Sequence, residues 1–437
     1  MQTKAILIAG AGSGTGKTTV SLGLMAALKK KGFKVQGFKT GPDYIDPSLH
    51  RVITGNPSIN LDTWMMPFDF LSRSFESRAA NADISIIEGV MGLHDGREPD
   101  SPIGSTAELA AVLEIPVILV LNAKSMARTI AAIVKGLVEF DKRVNIKGLI
   151  LNNVGSPKHL DILKKAVSAY CSIPVLGGIP SVKDITLPSR HLGLFMGEDG
   201  VLESRIDRLA ETISEHVDLN KILIASEMEI AENLLFDTPT ESEKGTIAVA
   251  RDNAFCFYYE DNFEILKQLG YSIKYFSPME DKELPKDVDA IYFGGGYPEL
   301  YAEQLSRNQE LRESIKKENL NGKYIYAECG GLMYLGRTLT DADGKKHDMC
   351  GCLPYDTVMK NRFQSLGYTE IIPNDNFLFL KESKPLRGHC FHYSEMIMDK
   401  NADVESFYHG TPAEKAKGFR LKNTLASYVH LHLASLL

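Results

Sequence analysis

Residues 4–19 read KAILIAGAGSGTGKTT, and the fold of the first half of the chain turns on how this stretch is read. An apolar run, a glycine-rich bend and then the helical pattern TVSLGLMAALKKKG describe a buried strand passing through a tight loop into a helix. Within it, AGSGTGKT (11–18) fits the phosphate-loop pattern, with Ala11 in place of its first glycine and Gly16, Lys17 and Thr18 matching. The strand before and the helix after give the pattern its meaning. Backbone N–H groups of the loop surround phosphates at a helix N-terminus, the lysine reaches the outer phosphates, and the hydroxyl ligates Mg²⁺. The candidate nucleotide-binding set is Gly14, Thr15, Gly16, Lys17, Thr18 and Thr19.

Outward from this loop, strand-like runs (FKVQGFKT, DISIIEGV, PVILVLNA, IKGLILNNV, IPVLGGIP) alternate with helical patterns up to about residue 225. Such alternation specifies a parallel sheet wrapped by crossover helices. MEIAENLLFDTPTESEKG then turns polar, and TIAVARD opens a second series of strands and helices. The expected organisation is α/β with two domains, each a mostly parallel sheet flanked by helices: residues 1–227, a linker over 228–245, and residues 246–437. A length of 437 residues exceeds what one core serves well, which agrees with two domains.

Composition narrows the function classes. No stretch approaches a membrane span, and the N-terminus runs into the phosphate loop instead of a cleavage site, so no membrane partner is expected. The net charge of −7 carries no basic block, which removes the usual footprint of nucleic-acid binding. Six cysteines without a Cys-x-x-Cys pair point to a reducing, cytoplasmic setting. The pair in MCGCLPY (Cys350, Cys352) lacks the second pair a zinc site needs, and is read as structural.

Carboxylates near the phosphate loop decide what a bound nucleotide is for. FKTGPDYIDPSLH (38–50) places Asp43 and Asp46 in a loop after one strand; SIIEGVMGLHDG (85–96) places Glu88 and Asp95 after another. Ligands of such sheets sit at the carboxyl ends of strands. Asp43 and Glu88 suit Mg²⁺ ligation with Thr18, while Asp46 and Asp95, with Tyr44, are candidates for orienting a substrate carboxylate or assisting proton transfer. The bland alternative is turn aspartates bonded to their own backbone. The GTPase signal Asn-Lys-x-Asp is not evident.

The second half carries different chemistry. In YIYAECGGLMYL (324–335) a strand runs into Cys329 and a double glycine, the bend that lifts a nucleophile out of the backbone and frees the next N–H, that of Gly330, for an oxyanion. GGGYPE (294–299) adds Gly295 and Gly296 as further backbone donors. A thiolate needs a base; SYVHLHL (427–433) offers His430 and His432 on one face of a strand, and spacing does not choose between them. His389 and His392 in RGHCFHYS fall on opposite faces, which argues against one shared metal site.

These segments, with NLDTWMM, GSTAELA, LPSRHLGL and FCFYYEDN, resemble the cobyrinic acid a,c-diamide synthase family in unbroken order from residue 4 to 436. The resemblance implies a dethiobiotin-synthetase-like phosphate-loop domain followed by a class I glutamine amidotransferase domain. It implies ATP, L-glutamine and cobyrinate or a related tetrapyrrole as partners, Mg²⁺ as cofactor, an acyl phosphate formed on a peripheral acetate, and ammonia released at Cys329. It points to His430 as base, with His432 as fallback. Two departures stand out: Asn122 replaces an aspartate common in the family, and His432 occupies the place of the usual third, acidic triad member, leaving a Cys-His dyad. Nickel sirohydrochlorin and hydrogenobyrinate are rival substrates for the same chemistry. A nucleotide switch or metal-cofactor chaperone with an inactive amidotransferase domain is the rival from another class. A homodimer is left open.

Overall fold

The computed structural model describes residues 1–181, 199–231 and 242–437, and these fall into two compact units, Met1–Leu235 and Phe236–Leu437. The motif LPSRHLGL and the polar part of the expected linker, 232–241, lie outside the described residues.

In the first unit the phosphate-loop reading is realised as strand β1 (Gln2–Gly10), the loop, and helix α1 (Lys17–Lys30). Residues Ala5 to Ala9 are wholly buried, as a central strand covered on both faces requires. Gly16 caps α1 at φ 102°, and a Cβ there would meet the Asn152 amide at 2.1 Å, so both backbone angle and space call for glycine. Lys29 and Lys30 close the helix, where cations suit the dipole.

Around β1 lie β2 (Val35–Thr40), β3 (Ile59–Leu61), β4 (Ile84–Glu88), β5 (Val117–Asn122), β6 (Ile146–Val154) and β7 (Val175–Pro180), in the order β3-β2-β4-β1-β5-β6-β7 with every pair parallel. Helix α2 (Ile45–Thr54) follows β2. The register decides the chemistry: Glu88 stands beside Ile8 on one side and Lys39 on the other, and Asn122 beside Asn152, all at the carboxyl ends of their strands. Strand β8 (Glu227–Glu229) pairs antiparallel with the start of β1, and Ile230 bonds Met1. The chain expected to become linker at 228 is therefore still part of the first sheet, because β1 offers backbone groups there that an edge segment satisfies.

The second unit is built on β9 (Gly245–Ala250), β10 (Tyr271–Phe276), β11 (Ala290–Phe293) and β12 (Tyr324–Glu328), parallel in the order β10-β9-β11-β12 and continued by Thr424–Ser427. An antiparallel sheet formed by Ser365–Pro373, Leu386–His392, Tyr408–Thr411 and Val429–His432 stands apart from it. The chain leaves the parallel sheet at Ser427, the register partner of Glu328, and enters the antiparallel sheet at Val429. That crossing brings the histidine-bearing strand to the cysteine. Among the described residues no helix is long and apolar enough to cross a membrane.

Candidate functional site

At the nucleotide end, Lys17 arches over its loop, its ammonium donating to the Gly12 carbonyl at 2.9 Å and the Met91 carbonyl at 2.5 Å. Burial lowers its pKa, with Lys39 adding to the effect. Thr15 Oγ1 donates to the Gly12 carbonyl, and Asn152 Nδ2 donates to the Thr15 carbonyl at 3.0 Å, bracing the loop from β6. Thr18 and Thr19 sit in the opening turn of α1, where N–H groups have no intrahelical partner.

The expected carboxylates meet at this loop through a residue that sequence reasoning left unassigned. Lys39, 3 % exposed, donates to Asp46 Oδ2 at 2.6 Å, Glu88 Oε1 at 3.1 Å and the Gly89 carbonyl at 3.3 Å, and lies 4.0 Å from Asp43. Glu88, wholly buried, also accepts from Thr18 Oγ1 at 2.6 Å, while its other oxygen faces His50 Nε2 at 3.0 Å. Ser58 Oγ holds the far side of that imidazole at 2.9 Å. Burial alone would make Lys39 less basic and Glu88 harder to ionise. Their mutual attraction wins, so Lys39 is raised and Glu88 is held below the usual carboxylate range, with His50 helping. Asp46 is raised by burial and by the Glu88 charge.

Asp43 Oδ1 also accepts from the Ile45 N–H at 2.8 Å, an Asx turn, so the bland reading describes part of what that side chain does. Asp95 is further out: it accepts from the Gly92 N–H at 2.8 Å and shapes the loop whose Met91 carbonyl receives Lys17. Tyr44 sits at the N-cap of α2, between the two aspartates. Asn122 accepts from the Asn153 amide at 3.1 Å and from the Lys124 N–H at 3.1 Å, bracing the sheet edge without a charge. Lys39 and His50 had a signal in the sequence: a lysine inside the buried strand VQGFKT, and a histidine one helical turn beyond Asp46.

At the thiol end, Cys329 joins β12 to the helix Gly330–Leu335 at φ 45° and ψ −98°. A non-glycine residue in such a conformation stores about 1–3 kcal/mol, and positions of this kind cluster at functional sites. Its N–H is tied to the Ser427 carbonyl at 2.7 Å, and its thiol points at the Phe391 carbonyl at 3.8 Å. The helix start docks on the glycine loop through Gly331 N–H to the Gly294 carbonyl at 2.9 Å, and a Cβ on Gly330 would lie 3.1 Å from the Gly296 nitrogen. Gly330 and Gly296 thus bring their backbones together beside the thiol.

Gly295 serves differently from expectation. Its N–H is directed to the Phe257 carbonyl at 3.3 Å in a two-bond bridge, which takes it away from an oxyanion. What Gly295 provides is room, since a Cβ there would strike His430 Cε1 at 2.3 Å. The His430 ring therefore packs on the loop that receives the nucleophile helix. It stacks on His389, with centroids 5.1 Å apart, and His389 Nδ1 meets Tyr259 Oη at 2.9 Å. His432 lies one residue pair along the strand against Tyr259 and accepts the Ala434 N–H at 3.2 Å. His392 stacks on Tyr428 instead, so His389 and His392 do face apart. Among the described residues, no group of three or more His, Cys, Asp or Glu side chains has the arrangement of a metal site.

Burial dominates the acid–base state here. It raises the Cys329 thiol, helped by the nearby Glu299, which burial pushes up to about 7. Burial lowers His430 well below the ordinary imidazole value, with His389 and His392 adding to the shift, and brings His389 to about 3 and His432 to about 4. Burial thus favours the neutral form of both the Cys329 thiol and the His430 imidazole, and a neutral imidazole has a lone pair able to accept a proton.

One unit thus carries a phosphate loop opening a helix, and the other a cysteine at a strained strand-to-helix bend. Residues 6–195 match the CobQ/CobB/MinD/ParA nucleotide binding domain, and residues 246–436 match the CobB/CobQ-like glutamine amidotransferase domain. The chain is 43% identical to the cobyrinate a,c-diamide synthase of Dehalococcoides mccartyi strain CBDB1, covering 98% of this chain and 95% of the relative. It is 40% identical to that of Priestia megaterium, covering 100% and 95%, and 41% identical to that of Picrophilus torridus, covering 100% and 97%. The chain belongs to the cobyrinate a,c-diamide synthase family.

Proposed function

We propose that this chain uses ATP and glutamine to convert the a and c acetate carboxylates of cobyrinate into primary amides. The support that carries the reading is similarity to cobyrinate a,c-diamide synthases over nearly the whole length of both partners. Those relatives favour cobyrinate over nickel sirohydrochlorin or hydrogenobyrinate, and an amide-forming ligase over a nucleotide switch.

In this reading the N–H groups of residues 14–19 and the Lys17 ammonium hold the triphosphate. Thr18 Oγ1 and Glu88 Oε1, 2.6 Å apart, are hard oxygens that would fit Mg²⁺, an ion that binds through one or two carboxylates together with phosphates and water; Asp43, 4.0 Å from Lys39, is the further candidate ligand. The bound ion supplies neutralisation of phosphate charge. Lys39 keeps Glu88 and Asp46 in place and offsets their negative charge as the substrate carboxylate arrives. One carboxylate oxygen attacks the terminal phosphorus, ADP leaves, and an acyl phosphate remains. Ammonia then attacks the acyl carbon and phosphate departs with the C–O bond electrons. Asp46, Asp95 and Tyr44 are the candidates in this reading for orienting the acetate and taking the proton ammonia loses.

At the thiol end, Cys329 Sγ attacks the carboxamide carbon of glutamine while His430 takes the thiol proton. The N–H groups of Gly330 and Gly296 receive the oxyanion. His430 returns the proton to the leaving ammonia, and water hydrolyses the glutamyl thioester to glutamate. The test is product identity: purified protein with ATP, glutamine and, separately, cobyrinate, hydrogenobyrinate or nickel sirohydrochlorin. The expected result is cobyrinate a,c-diamide by mass, with glutamate, ADP and phosphate in step. Amidation of nickel sirohydrochlorin with cobyrinate untouched would replace the substrate assignment.

A further inference from the structure

Glu328, immediately before the nucleophile, has no part in the chemistry above, yet it is one of the most fully bonded carboxylates in the second unit. It is 2 % exposed and is the last residue of β12. Tyr292 Oη on β11 donates to its Oε2 at 3.0 Å, Tyr326 Oη on β12 donates to its Oε1 at 2.8 Å, and the Leu431 N–H donates to the same Oε1 at 3.2 Å. The third donor matters most, because Leu431 lies between His430 and His432 in a strand of a different sheet. A buried polar atom held by several partners moves little, and two tyrosines in register on adjacent strands make the mounting rigid.

We infer that Glu328 is a positioning residue of the glutaminase reaction, its carboxylate clamping the histidine-bearing strand to the nucleophile strand and so setting where His430 stands relative to Cys329. This rests on the amidotransferase reading given above. The strand position where an acidic triad member would orient the imidazole holds His432, whose Nδ1 is turned to the Ala434 N–H. Orientation of the base must come from elsewhere, and Glu328 supplies it through the backbone on the far side of the strand from the ring. Burial pushes the carboxyl up to about 7, against the pull of its three donors, so what the site requires is an acceptor oxygen for Leu431 more than a full charge.

That requirement makes the test specific. Glu328→Met keeps the length and removes the acceptor; Glu328→Gln keeps a carbonyl oxygen for Leu431. In the full chain, the methionine variant is expected to lose about 10²-fold in glutaminase kcat, the scale of an ångström-sized misplacement, with KM for glutamine within about twofold of wild type. Ammonia-dependent synthesis should be unchanged, and Glu328→Gln should recover to within about threefold of wild type. A folded methionine variant with wild-type kcat, or a glutamine variant no better than methionine, would overturn the inference. Should the methionine variant not fold, Tyr326→Phe removes one donor: a drop in kcat of about fivefold at constant KM supports the clamp, and an unchanged kcat refutes it. Wild-type protein releasing no glutamate at all would instead refute the amidotransferase reading itself.

Discussion

At the nucleotide end, Lys39 and Glu88 are 3 % and 0 % exposed and both are held in their ionised forms; at the thiol end, Cys329 and His430 are 6 % and 1 % exposed and both are driven toward neutrality. Burial is the same and the outcome is opposite, because opposite charges face each other in the first site and not in the second. An ion in a poorly polarisable interior persists only beside a counter-ion, and otherwise gives up or refuses its proton. Under the proposed function the difference would suit the two tasks: a polyphosphate and its cation would enter a site already organised by charge, whereas the thiol would stay protonated until an amide is in place to accept its attack.

Separation of the two ends is tested by the largest effects. Cys329→Ala is expected to cut glutamine-dependent synthesis by at least roughly 10³-fold, as loss of a nucleophile does, and to leave synthesis from high ammonia intact. Lys17→Ala should remove both routes, because carboxylate activation requires a held triphosphate. Parallel assays with the two nitrogen sources decide it, and loss of both routes in Cys329→Ala would mean that the thiol serves the fold.

The charge contrast is tested by Lys39→Met. Removing one partner of a buried pair leaves Glu88 and Asp46 uncompensated, which costs about 3–5 kcal/mol and should appear in denaturant unfolding as well as in the loss of both synthesis routes. Unaltered stability would show that these carboxylates are satisfied without the lysine. Gly295→Ala probes the other end, where the added methyl must push the His430 ring. Glutaminase activity should fall by roughly 10- to 100-fold with ammonia-dependent synthesis unchanged.

The smallest expected effect is on pH dependence. His389 and His432 are lowered to about 3 and about 4, so their contribution to stability is fully present above the unfolded value near 6.5 and is lost as pH falls through that window toward 4 and below. At pH 5 the cost is about 2 kcal/mol per imidazole, since the unfolded chain binds a proton that the folded one refuses. Glu299 and Glu328, raised to about 7, shift stability the other way over the same range, so the loss is read from thermal melts of wild type beside His432→Gln at pH 7 and pH 5, where the variant should lose less. An equal loss in the variant would remove His432 from the account.

Much of the fold was open to reading because its signals are local. The strand, loop and helix around Lys17 span some thirty residues, and the double glycine after Cys329 announces a bend in its own neighbourhood. Lys39 and His50 escaped because their partners are distant in sequence: Glu88 lies 49 residues beyond Lys39 and meets it through the pairing of β2 with β4. The Gly295 N–H was expected at the thiol and is found on Phe257, a contact between two loops that no spacing reveals.

By itself, the sequence determined that a phosphate loop would end one central strand and a cysteine elbow another, since backbone angles and hydrophobic periodicity act within a few residues. Only the tertiary structure decided which charges meet, which imidazole rests on the glycine loop, and that Glu328 reaches across to Leu431. The energy of a buried ion or acceptor depends on what stands within about 3 Å of it, and strand register, which sets that company, is a property of the assembled sheets.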